Sequence, residues 1–127
     1  MKKILCLAAI LLATNSYAET SKNEWQNTTI SEATIAKIQA AKFEYKKCVS
    51  DEMQKAVYAT QESRQATEVI IKECEPVLTQ MREVYLAEQV PEVIADRHLK
   101  QMRLQTTRDT LQNMMYAEAA RASGQSK

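Results

Sequence analysis

Few residues in this chain can act as nucleophiles or metal ligands. Its 127 residues contain one histidine (His98), three cysteines (Cys6, Cys48 and Cys74) and six methionines. A single histidine excludes any intrachain site that needs two. The lone glycine, Gly124, sits three residues from the C-terminus. P-loops, dinucleotide fingerprints, nucleophile elbows and glycine-bearing calcium loops are therefore absent. The 16 Asp and Glu residues show no spacing that marks a buried pair with split acidities. No enzymatic activity and no cofactor are expected. His98 and Met102 lie four residues apart on one helical face, and soft thioether sulfur suits Cu(I). Met114 stands twelve residues past Met102, about 18 Å along a straight helix, too far to complete that site. We therefore assign no metal, with His98 and Met102 the only candidate ligands, because methionine more commonly fills irregular core gaps.

The cysteines acquire meaning from where the chain goes. Residues 1–18 read as a cleaved signal peptide. Lys2 and Lys3 form a positive start, Ile4 to Ala13 supply ten apolar residues, and Ser16-Tyr17-Ala18 places small residues at the cleavage positions. Ten apolar residues fall short of the roughly 17–25 that span a bilayer, so no transmembrane segment is expected in the mature chain. A bacterial type of signal makes the periplasm the expected location, with secretion the alternative. Cleavage removes Cys6 and leaves Cys48 and Cys74, which an oxidising compartment would join as one disulfide. Cys-x-x-Cys spacing, the mark of a redox shuttle, is missing.

That disulfide implies a hairpin. In two antiparallel facing helices the paired residue numbers keep a constant total, 122 for the two cysteines, centred on residue 61. Ala56 with Ala66, Met53 with Val69, Tyr45 with Val77, Ala41 with Met81, and Ile38 with Val84 share it. The first helix is expected over residues 30–59, with Thr29 as N-cap and Glu32 completing a capping box. The second is expected over residues 63–89, kinked near Pro76 because an interior proline removes a backbone bond. A full break there would take the pairs beyond Cys74 out of register. A third helix is expected from Pro91, favourable at a first helical position, to residue 122, with Gly124 as its stop. Its apolar set is Val93, Ile94, Met102, Leu104, Leu111, Met114, Met115 and Ala119. Arg97, Gln101 and Arg108 interrupt that face, so this helix either docks loosely or packs on another chain.

The expected fold is all-α, an elongated up-down-up three-helix bundle made of a disulfide-stapled αα-hairpin plus a third helix. Residues 19–29 form a flexible N-terminal segment, 30–122 the helical domain and 123–127 a tail. Without the signal the chain has 15 Lys and Arg against 16 Asp and Glu, which argues against nucleic-acid binding. Surface contacts are left to carry the function. Arg97, Lys100, Arg103 and Arg108 cluster on the third helix, and Trp25 is an aromatic of the type favoured at binding hot spots. The expected role is non-enzymatic, through protein–protein contacts, as an adaptor or accessory subunit of an envelope assembly. The partner is unidentified, and self-association through the third helix is one form of it. A periplasmic holdase-type chaperone is the alternative, and a copper binder ranks third.

Overall fold

The computed structural model describes residues 30–124. The expectations for the signal peptide, the 19–29 segment with Trp25, the Thr29 cap and residues 125–127 lie outside the described residues. Within them the chain is all-helical. It has four α-helices rather than three: α1 (Glu32–Met53), α2 (Ser63–Glu73), α3 (Glu75–Ala87) and α4 (Glu92–Ala122), with a single 3-10 turn at Ala56–Tyr58.

Each helix end has a local cause. The cap of α1 is Ser31, whose Oγ accepts from the Thr34 N–H at 3.1 Å. The helix stops at Met53, earlier than residue 59, because Lys55 turns extended (ψ 132°). The chain then folds back so that the Tyr58 ring is buried while its hydroxyl donates to Glu52 at 3.3 Å. At α2 the Glu62 carboxylate accepts from the Gln65 N–H. The Ser63 N–H donates to Glu118 Oε2 at 3.1 Å, so an acid from the end of α4 satisfies an orphan donor at the start of α2.

The expected kink is a break. Cys74 leaves helical geometry at ψ 0°, and α3 restarts immediately with Pro76 in its first turn. A proline there forfeits no intrahelical bond, whereas in a continuous helix it would lose one and clash with the preceding turn. The break does not disturb the far register: Thr34 Oγ1 donates to Glu88 Oε2 at 3.0 Å, a pair that again totals 122. The register lapses on the loop side instead. Ala56 and Val69 are exposed while Ala66 is buried, because α2 packs chiefly on α4 rather than on α1.

The α3–α4 connection is a Schellman cap. Val90 N–H donates to Tyr85 O and Gln89 N–H to Leu86 O, with Gln89 at φ 60° and Val90 buried. Pro91 is the N-cap of α4, one position before the expected one. Gly124, at φ 72°, follows the end of α4 in the left-handed conformation that glycine adopts without penalty.

α4 is docked, and its inward face differs from the expected apolar set. Ala95, Leu99, Thr106, Thr110 and Met114 are buried, whereas Val93, Leu104 and Met115 are about half exposed. Arg97, Gln101 and Arg108 do not interrupt the core face; all three point outward. Alanine and threonine carry little hydrophobic signal, yet their small size admits close helix approach. Ion pairs then clamp α4 to α3: Arg82 Nε reaches Asp96 Oδ1 at 2.6 Å and also engages Glu92, and Arg103 Nε reaches Glu75 Oε2 at 3.0 Å.

Candidate functional site

The two cysteines are consumed in structure. Cys48 and Cys74 form a disulfide with Cα atoms 5.9 Å apart, a spacing two facing helices provide. Neither offers a thiolate. Among the described residues no three His, Cys, Asp or Glu side chains converge as a metal cluster. His98 packs edge-on against Tyr85, ring centroids 6.1 Å apart, and Met102 lies half-buried in the same groove.

The cationic residues of α4 do not form one stripe. Lys100 and Arg103 line a groove between α2 and α4, joined there by Arg64 and Lys72, with Glu68 on the same wall. Arg108 lines a different groove, between α1 and α4. Arg97 is exposed on α4. Trp25, the remaining residue of the expected partner surface, lies outside the described residues. The ridge at Leu104, which borders both grooves, was not anticipated from the sequence.

The α1–α4 groove is the larger, about 870 Å³. Its origin is topological. α1 runs antiparallel to α3, held at one end by the disulfide and at the other by Thr34–Glu88. α4 also runs antiparallel to α3, held by Arg82–Asp96 and Arg103–Glu75. Both long helices therefore lean on the same neighbour and meet each other only weakly. The trough between them is lined by Ile35, Ile38, Ile94, Met102 and Leu104. Lys42, Lys46 and Arg108 also line it, against one acid, Asp109. No partner-contact residue on α1 was expected from the sequence, yet Ile35 on that wall is 45% exposed.

Cations without an ion pair among the described residues line both grooves, Arg64, Lys72 and Lys100 being those between α2 and α4. Lys37, Lys47, Lys55, Arg82 and Arg103 each pair with a carboxylate. Lys42, Lys46 and Arg108 have no ion-pair partner among the described residues. Elsewhere the titration shifts have structural causes. Glu88 is held below the ordinary carboxylate range by hydrogen bonds from Lys37 and Thr34, Glu118 by those from Ser63. Burial raises the Tyr45 phenol, and the charge of Glu75 raises it further. Comparison with known proteins finds no match to this chain, whether to a protein-family model, a curated protein or a solved structure.

Proposed function

We propose that this is an exported, non-enzymatic helical protein that works by protein–protein contact, as an adaptor or accessory subunit in the bacterial envelope. The observation that carries the reading is the α1–α4 groove, where exposed Ile35 and Leu104 and half-buried Met102 lie beside cations that have no ion pair among the described residues. Contiguous apolar surface rimmed by charge is the common form of a contact site. The signal-like residues 1–18 and the disulfide support a periplasmic location, with secretion the alternative. The two antiparallel registers favour three columns running up, down and up, with α2 and α3 sharing the middle one.

A photocrosslinking side chain at Gln105, inside the groove, tests this against one at Thr79 on the exposed face of α3. In the envelope fraction Gln105 should yield a discrete protein adduct and Thr79 should not. A strictly monomeric protein with no adduct at Gln105 would overturn the proposal. Cell fractionation with N-terminal sequencing checks the export half, which requires a mature chain starting at Glu19.

One observation favours a holdase as the second reading. Phe43, Val57 and Tyr116 are 62%, 58% and 66% exposed on three different elements, which suits many weak contacts with unfolded clients. It requires suppression of client aggregation at near-stoichiometric ratios, and no suppression removes it.

A further inference from the structure

We infer that the partner enters the α1–α4 groove as an amphipathic helix three to four turns long, apolar on one face and flanked by acidic residues. The inference rests on the proposal that this groove is the contact site and adds the chemistry of what fills it. Three observations lead there.

The first is backbone satisfaction. The described residues form helices and turns, with no strand edge to which an extended peptide could add. An extended segment on the floor formed by Ile38, Ile94 and Met102 would leave its N–H and C=O groups without partners, which is costly for each buried group. Gln39, Gln101 and Gln105 on the walls are too few to serve a whole extended backbone. A helix brings its hydrogen bonds with it, the usual solution for an apolar groove between helices.

The second is length. The groove follows α4 from Ile94 to Asp109 and α1 from Ile35 to Lys46. At 1.5 Å per residue these spans are about 22 Å and 16 Å, which match 11 to 15 helical residues.

The third is charge. Lys42 and Lys46 line the groove from α1 and Arg108 from α4, while Asp109 is the one opposing carboxylate lining it. Acidic residues flanking the apolar face of an incoming helix complement both walls, and a basic helix is repelled by them. The same charges disfavour a second copy, whose groove carries identical cations. Residues 19–29 of this chain offer one large apolar side chain, Trp25, among polar neighbours and cannot cover five apolar groove residues. An acyl chain in an open trough would stay largely wet.

Two fluorescein-labelled, hydrocarbon-stapled 15-residue peptides test the inference against the full mature chain by anisotropy. They share one leucine face and differ only in glutamate or lysine flanks. The glutamate peptide should bind at least tenfold more tightly. Ile35→Asp should weaken it at least tenfold, and the K42E/K46E/R108E variant should reverse the preference toward the lysine peptide. These positions are at the surface, and circular dichroism confirms that each variant is folded. Equal affinity for the two peptides, no binding of either, or a preference unchanged by the triple variant overturns the inference. Mass spectrometry of the Gln105 adduct separates its failure from that of the proposed function. A partner segment that is neither helical nor acid-flanked overturns the inference alone. An adduct to a second copy likewise overturns the inference alone, and an adduct to residues 19–29 or to lipid overturns both.

Discussion

α1 meets α3 across a seam closed by the Cys48–Cys74 disulfide, by the buried side chains of Tyr45 and Met81, and by the Thr34–Glu88 hydrogen bond. Its other flank meets α4 only across the trough lined by Ile35, Met102 and Leu104. One helix thus has a covalently stapled side and an open side. The difference comes from what each neighbour brings. α3 presents Leu78, Met81 and Tyr85, whose bulk fills the space toward α1. α4 turns Ala95, Thr106 and Thr110 inward beside Leu99 and Met114 and is drawn to α2 and α3 by Glu118, Asp96 and Arg103. A helix clamped on one side is free to leave the other uncovered.

Removing the staple tests the closed seam most severely. Cys48→Ala with Cys74→Ala should cost about 3–4 kcal/mol, from the chain entropy of a 27-residue loop whose ends are 26 positions apart. Chemical denaturation with and without reductant measures it, and reduction should abolish the difference between wild type and variant. Next, Met81→Ala should cost about 2–3 kcal/mol by leaving a cavity where the side chain is 1% exposed. Ile35→Ala on the open flank should cost well under about 1 kcal/mol, as for most surface substitutions. Equal losses at the two positions would erase the contrast between the seams.

Two substitutions should stabilise. The Tyr45 hydroxyl is buried without a hydrogen-bond partner among the described residues, so Tyr45→Phe should gain up to about 1 kcal/mol by removing an unsatisfied polar group. Gln89→Gly should gain about 0.5–1 kcal/mol, because a left-handed φ of 60° strains any residue with a Cβ. Thermal melts detect both, and a lower Tm for either would contradict the geometry.

The smallest effect is that of pH on the far end of the closed seam. Hydrogen bonds from Lys37 and Thr34 depress the Glu88 carboxyl. Their stabilisation is fully present above the ordinary value of 4.5 and is lost as pH falls through the depressed folded value. Glu88→Gln should therefore lower stability slightly at pH 7 and flatten the acid limb, so that variant and wild type converge as pH falls through the depressed value. An unchanged acid limb would show that Glu88 is not linked to folding.

Legibility in the sequence followed the strength of each residue's local signal. The disulfide was readable from two cysteines and a compartment, and the end of α4 from one glycine. The break at Cys74 was half-legible: Pro76 marked the place, but whether a helix bends or restarts depends on whether the neighbours hold both halves, as α4 and α1 do here. The Schellman turn at Gln89 was illegible because glutamine gives no warning of a left-handed conformation. The inward face of α4 was misread because Ala95, Thr106 and Thr110 look neutral, while the more hydrophobic Val93, Leu104 and Met115 lie outside. Cations on α4 were visible from spacing; their division between two grooves was not.

Composition and periodicity determined that the chain is helical and that motifs needing a glycine-rich turn or two histidines do not occur in it, and the signal-like residues 1–18 added the pairing of Cys48 with Cys74. Those conclusions need only residue identity and local spacing. Tertiary structure decided which flank of α1 is closed and which stays open, because that depends on how much volume two neighbouring helices bring to a shared seam. The groove, with its unneutralised cations, exists only where α1 and α4 both lean on α3.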